Sequence, residues 1–336
     1  NALLEPIWRL YQDDLRKAGS INYEQMIVLA TEYIRTGQFK VPWREVMIDE
    51  FQDISSHRAA LIQAIRQQRL DIRLFCVGDD WQAIYRFAGS DLHFTTEFER
   101  FFGEVRRYAL SHTFRFGEVL SEESSRFVLA NSRQSKKSLY GHEGHSNPLV
   151  LCPLEQIKRN NWLENILQVI QQDIRLCAGV SQQERVSVLI LSRFHHFLLS
   201  PQKLAAYSQA FPDLELIQGT VHSVKGNEAD YVLLLEMNCG EFGFPSEKVS
   251  DKLVESFLPM GEDYPFAEER RLFYVALTRA RRQVYLCYSD AIKSVFIEEL
   301  QKHHKVQYLA ELIQTHKKIV NPKRKPWSGL NIFKFR

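Results

Sequence analysis

Long apolar runs, paired cysteines and a marked excess of either charge are all missing from this sequence. No stretch approaches the ~18 apolar residues that a bilayer-spanning helix needs, so a helical membrane protein is not expected and a cytoplasmic location is. The five cysteines, Cys76, Cys152, Cys177, Cys239 and Cys287, are widely spaced with no C-x-x-C pair. That spacing argues against a zinc site and a disulfide framework, and leaves buried thiols in a reducing compartment as the expectation. The 43 Lys and Arg against 41 Asp and Glu give a formal charge of +2, too little for bulk attraction to a polyanion. Any nucleic-acid binding would rest on local placement of cations. Also absent are internal repeats, low-complexity stretches and any G-x-x-x-x-G-K-[ST] loop, whose backbone N–H groups cradle nucleotide phosphates.

What is present suits a large α/β chain. At 336 residues and 45% hydrophobic content, the sequence has material for two cores. Short, nearly continuous apolar runs at Val46 to Ile48, Leu74 to Val77, Val186 to Leu191 and Tyr231 to Leu235 predict strands of a parallel sheet buried on both faces. Further strands are predicted at Tyr108 to Leu110, Leu149 to Cys152, Glu215 to Gln218 and Val284 to Tyr288. Helical periodicity predicts helices at Tyr23 to Ile34, Ser56 to Gln67, Gly117 to Ala130, Trp162 to Ile174 and Glu268 to Leu277. This alternation implies α/β units with right-handed crossovers. A boundary is expected near residues 108–115, where a strand would lead into a Thr113-Phe114-Arg115 turn and a fresh helix.

Asp49-Glu50-Phe51-Gln52-Asp53 closes the predicted strand Glu45 to Ile48. Ligands of open α/β sheets sit beyond the carboxyl ends of strands, where one acid can hold Mg²⁺ and a second can orient water for attack on a γ-phosphate. A solvated strand end is the competing explanation. Val77-Gly78-Asp79-Asp80-Trp81-Gln82-Ala83-Ile84-Tyr85-Arg86-Phe87-Ala88-Gly89 follows another apolar strand. Gln82 offers a neutral amide to a phosphate or water, and Tyr85 and Phe87 either stack on unpaired bases or pack into the core.

The order D-E-x-Q-D, G-D-D-x-Q-x-I-Y and T-F-R resembles the ATPase core of UvrD/Rep-like superfamily 1 DNA helicases. Thr220 to Asp230 resembles the family's T-x-H-x-x-K-G-x-E segment, and Glu268 to Ala280 its E-E-R-R-L-x-Y-V-x-x-T-R-A helix. The resemblance runs from about residue 40 to 290. It implies two RecA-like domains with parallel sheets flanked by helices, the first incomplete, with ATP and Mg²⁺ between them and single-stranded DNA across both. It also implies that Asp49 binds Mg²⁺, Glu50 activates water, Gln82 senses the γ-phosphate, and Arg115 and Arg279 neutralise that phosphate from across the cleft. Phe114 would stack on adenine and Glu228 would bind ribose, while Tyr85, Phe87, Thr220, His222 and Lys225 would face DNA. Arg193 resembles another family position, though a surface ion pair explains it equally well.

The implied activity is ATP-dependent 3′-to-5′ movement on single-stranded DNA and unwinding at duplex junctions, with protein partners unspecified. A catalytically silent DNA- or protein-binding scaffold and a nuclease–helicase fusion are the alternatives. The family's phosphate loop lies upstream, and this sequence opens at Asn1 rather than Met, so a fragment inactive by itself is expected. Residues 1–20 would be the remnant of an insertion, 21–110 the later part of the first domain and 111–300 the second. Only about two dozen residues separate Arg193 from Thr220, so the family's large insertion there is expected to be missing. Residues 301–336 are expected to be a helical and basic tail whose Lys317, Lys318, Lys323, Arg324, Lys325, Lys334 and Arg336 are either solvated or contact phosphate.

Overall fold

The computed structural model describes residues 4–155, 161–176 and 185–320. The chain divides into two compact units. The first comprises Asn1–Ala109, Arg133–Ser135 and Ser250–Glu268, and the second the remainder.

In the first unit, β1 (Glu45–Ile48) and β2 (Arg73–Cys76) pair in parallel, with Ile48 opposite Cys76. The helix Tyr23–Arg35 opens on a capping box between Asn22 and Gln25, and the helix Ser56–Gln68 follows β1. Ile34, Val41, Ala64, Ile65 and Ile72 make one small core, with Val46 and Leu74 packed against it. Phe51, Ile54, Ile62, Phe94 and Phe102 make another, with Ile48, Leu74 and Cys76 at its edge. Burial along β1 and β2 alternates, leaving Met47 74% and Phe75 62% exposed. The expected burial on both faces is therefore corrected here. These strands turn one side to the described helices, and nothing among the described residues covers the other.

In the second unit, six strands form one parallel sheet. A separate parallel pair precedes it, β3 (His112–Gly117) with β4 (Tyr140–His142). The sheet strands are β5 (Leu149–Pro153), β6 (Val186–Ser192), β7 (Leu214–Thr220), β8 (Ala229–Leu234), β9 (Ala280–Tyr288) and β10 (Gln307–Tyr308). Their spatial order is β10-β5-β9-β8-β6-β7. The central strands are apolar at nearly every position because both faces are covered. Leu163, Ile166, Leu167 and Ile170 recur at helical spacing on Trp162–Leu176 and pack with Val150, Val188, Ile190, Leu233 and Tyr285. Side chains alternating to the opposite face, Leu151, Leu189, Val232 and Leu286, are equally buried. Each such side chain contributes about 1.5–3 kcal/mol of burial free energy.

The predicted strand at Tyr108 to Leu110 and the Thr113-Phe114-Arg115 turn are both corrected. The strand is β3, which contains those three residues, while Tyr108 and Leu110 stand 85% and 91% exposed. The β-branched and aromatic alternation of Thr113, Phe114 and Phe116 favours extended backbone, and β4 supplies a partner. The expectation of buried thiols holds for Cys152 and Cys287; Cys76 is half-buried, its thiol pushed up to about 11 by desolvation, and Cys239 is exposed. Cys177 and the tail from Lys323 to Arg336 lie outside the described residues. No described helix is long and apolar enough to cross a membrane.

Candidate nucleotide and DNA site

The first unit brings two strand ends together through a buried glutamine. Beyond Ile48, the Asp49 carboxylate accepts the Glu50 N–H at 2.8 Å. Glu50 itself lies in the left-handed region, φ 49° and ψ 43°, a conformation that costs a non-glycine residue about 1–2 kcal/mol and is typically kept at functional positions. The turn delivers Gln52, which is fully buried, so that its amide donates to the Glu50 carboxylate. The amide oxygen of Gln52 accepts the Asp79 N–H at 2.8 Å. Asp79 then accepts from the Gln82 side chain at 2.7 Å and from the Trp81 N–H at 3.0 Å. Asp49 and Glu50 after β1 and Gln82 after β2 thus stand in one hydrogen-bonded chain. Gly78 is required in it, because a Cβ there would lie 2.7 Å from Gln52 Oε1 and 3.1 Å from the Phe51 and Gln52 nitrogens.

The loop continues into Tyr85 and Phe87, whose rings lie 5.9 Å apart. Phe87 is 60% exposed and Tyr85 half-buried, so the alternative of a fully packed core holds for neither. Arg86 between them turns to the segment Ser250–Glu268 of the same unit. It donates to the Pro259 carbonyl at 2.8 Å, pairs with Glu255, and gives its backbone N–H to Glu268 at 3.2 Å.

In the second unit, Phe114 and Arg115 lie on β3. The Phe114 ring is 90% exposed. Arg115 Nε donates to Glu228 at 2.9 Å, and Arg281 grips the other oxygen of the same carboxylate. The Arg281 and Arg115 hydrogen bonds hold the Glu228 carboxyl below its ordinary range. Arg279 is 1% exposed, with Nε on the Val275 carbonyl at 3.1 Å and a terminal nitrogen on the Asn227 carbonyl at 3.1 Å. Thr220 ends β7, and His222 and Lys225 lie in the turn that follows it and ends at Glu228, before β8. Thr220 accepts from Ser223 through both its hydroxyl and its carbonyl, and Gly226 takes φ +93°. Candidate DNA contacts and candidate nucleotide contacts are consequently the two ends of one turn. His222 is drawn down to about 4 by burial and then by the charge of Arg193. Arg193 forms an ion pair with Glu269 at 2.8 Å, the simpler of its two explanations.

Sequence reasoning left Gln52, Asp79, Glu269 and Arg281 without roles. Gln52, Asp79 and Glu269 stand inside the quoted motifs, and Arg281 lies on β9 two positions past Arg279. The partners distant in sequence, Gln52 for Asp79, Arg193 for Glu269 and Glu228 for Arg281, gave no signal.

Residues 1–103 match the family model of the UvrD/REP helicase N-terminal domain, and residues 110–291 that of the UvrD-like helicase C-terminal domain. The chain belongs to the UvrD-like helicase family. It is 37% identical over 300 residues to DNA helicase IV of Escherichia coli (strain K12), a match covering 89% of this chain and 42% of that protein. It is 24% identical over 333 residues to a probable DNA helicase of Mycoplasma pneumoniae, covering 93% of this chain and 59% of the relative. An ATP-dependent DNA helicase PcrA of Leuconostoc citreum is 19% identical over 170 residues, 48% of this chain and 22% of the relative. The chain therefore spans roughly two- to three-fifths of the length of the first two relatives.

For a UvrD-like helicase the donor set at β1 is informative. No group of three or more His, Cys, Asp or Glu side chains suited to a metal ion occurs among the described residues. A Mg²⁺ carried on phosphates needs only one or two protein carboxylates. Exposed Asp49, at the carboxyl end of a parallel strand, fits that requirement.

Proposed function

We propose that this UvrD-like helicase chain is the motor portion of an ATP-dependent DNA helicase that moves 3′ to 5′ on single-stranded DNA and opens duplex junctions, acting in the cytoplasm. The observation that carries the reading is the Glu50–Gln52–Asp79–Gln82 chain. It fixes a carboxylate suited to orienting water and an amide suited to registering a phosphate, and it ties their positions together. Asp49 would hold Mg²⁺, which neutralises phosphate charge when bound. Phe114, exposed on β3, would stack on a base, and Glu228 would accept from a ribose hydroxyl.

Arg115 supplies a planar guanidinium suited to gripping phosphate oxygens. Arg279 joins it on leaving its two carbonyl partners, a rearrangement that phosphate charge would drive and that would release Asn227 beside Glu228. Since that turn follows Thr220 and carries His222 and Lys225, a change at its nucleotide end alters its DNA end. Movement of this turn between two arrangements would convert ligand charge into altered grip. Tyr85 and Phe87 would add base stacking from the first unit.

Without a phosphate-binding loop, these 336 residues should hold nucleotide weakly and turn over no ATP. The test is DNA-stimulated ATP hydrolysis, comparing the 336 residues, a longer form that includes a phosphate loop, and that form with Glu50→Gln. Turnover is expected from the unmutated longer form only, with the Glu50→Gln rate at least about a hundredfold lower. A longer form that stays inert with single-stranded DNA present would replace the motor with a silent scaffold.

A further inference from the structure

The strand pair that precedes the second unit's main sheet carries rings in water beside Phe114. Exposure alternates along the first half of β3, and its two exposed residues are His112 and Phe114. On β4, Tyr140 is the register partner of His112, their rings 5.5 Å apart at 38°. Tyr140 remains 48% exposed, and none of the described residues hydrogen-bonds its hydroxyl. The Ser111 hydroxyl lies 3.3 Å from His112 Nδ1, which leaves Nε2 for a ligand.

The backbone beneath these rings is held at many points. Tyr140 N–H donates to the Ser111 carbonyl at 2.7 Å, Gly141 N–H to the Glu118 carboxylate at 2.6 Å, and the Ser121 hydroxyl to the Leu139 carbonyl at 2.7 Å. A Cβ on Gly141 would collide with the Gly117 carbonyl carbon and the Glu118 nitrogen, and one on Gly117 would lie 2.8 Å from Gly144 Cα. Three glycines thus let β4 and the residues after it cross at backbone contact with the start of the helix Glu118–Leu129. A hydroxyl fixed this firmly, yet left in water, is preorganised for a ligand.

We infer that His112 and Tyr140 read the outer edge of a purine base stacked on Phe114, favouring purine over pyrimidine nucleotides. This deepens the role proposed for Phe114 and rests on it. Arg115, bonded to Glu228, follows Phe114 on the side proposed for phosphate and ribose. His112 precedes Phe114 by two residues, about 6–7 Å along extended backbone. A base whose sugar lies toward Glu228 therefore turns its far edge toward His112 and Tyr140. An imidazole nitrogen and a phenol hydroxyl can each donate or accept, so they can meet N1 and the 6-substituent of either purine. A pyrimidine, shorter by one ring, would stack on Phe114 and stop short of them. Continuity with the Arg115–Glu228 pair, which offers phosphate and ribose partners beside the same ring, favours a mononucleotide over a strand of DNA.

The test is displacement of a ribose-labelled fluorescent ADP by ADP, GDP and UDP from the longer form that includes a phosphate loop, and from its Tyr140→Phe, His112→Ala and Phe114→Ala variants. Tyr140→Phe and His112→Ala should each weaken ADP and GDP about three- to tenfold, the effect of one hydrogen bond, and leave UDP unchanged. Phe114→Ala should weaken all three. If Phe114→Ala does so while the other two variants bind every nucleotide as the unmutated form does, the edge contact is overturned and the stacking role of Phe114 stands. If Phe114→Ala changes nothing, that role fails and the edge contact with it. Equal losses on ADP and UDP in Tyr140→Phe and His112→Ala would mean a general disturbance of β3 and β4, and would also overturn it. Weakened binding of a labelled oligothymidylate, with nucleotide affinities intact, would assign the face to DNA instead. A longer form that takes up no labelled ADP overturns the nucleotide site as a whole. Tyr140→Phe keeps the ring beside His112, so it carries the decision should thermal unfolding show His112→Ala to be destabilised.

Discussion

His222 shows how a single side chain can make this fold pH-sensitive. Its imidazole binds a proton only near pH 4 in the folded chain, against 6.5 ordinarily, owing first to burial and then to Arg193. Below pH 6.5 the unfolded chain takes up that proton and the folded chain does not. Stability fully present above 6.5 is therefore lost progressively down to about pH 4. His222→Gln should remove this component, so that thermal unfolding of the parent falls more steeply than that of the variant across the window. Parallel curves would show that the ring is not desolvated as described. Such a site was half legible in sequence: T-x-H-x-x-K-G-x-E named the histidine, but its proximity to Arg193 depends on β6 and β7 lying side by side.

At the scale of elements, the unit to consider is the pair of strand ends joined by Gln52. Removing that side chain leaves the Asp79 N–H and the Glu50 carboxylate without their buried amide partner, a loss of about 1–3 kcal/mol. Gln52→Ala should lower the urea midpoint accordingly, and an unchanged midpoint would mean that water replaces the amide without cost. The helices were legible because their apolar spacing and caps are local; Tyr23–Arg35 and Ser56–Gln68 differ from expectation by one residue at their ends. The strands β5, β6, β8 and β9 were legible because burial on both faces leaves an unbroken apolar run. The same inference failed for β1 and β2, since apolar composition reports what a strand can bury and not what is there to cover it. At β3 the motif-like T-F-R suggests a turn, whereas its residue types favour the extended backbone that is found. The helix Pro201–Ala210, with Ser200 accepting from the Lys203 N–H and proline in the first turn, carried a clear start signal that the motifs overshadowed.

At the scale of the whole molecule, the first unit is not one stretch of sequence. Trp81, fully buried, donates its indole N–H to the Ser135 carbonyl at 3.0 Å, and the Ser135 N–H returns to Asp80 at 3.0 Å. Arg86 reaches still further, to Glu255 and Pro259. Nothing in the linear pattern announces this, because each bond joins residues whose neighbours belong to different elements. A polypeptide ending at Ala109 should consequently melt broadly, without the cooperative transition of the full chain, as followed by circular dichroism. A sharp transition at the parent's temperature would show that the later segments are accessories. The discontinuity also sets an order of events during synthesis. Trp81 waits 54 residues for its acceptor and Arg86 waits 173 for Pro259. At ordinary elongation rates the second wait is on the order of ten to thirty seconds. During it most strands of the later unit have already been made, so the unit begun first cannot close until much of the other has been synthesised, and a nascent chain must shelter Trp81 until Ser135 emerges.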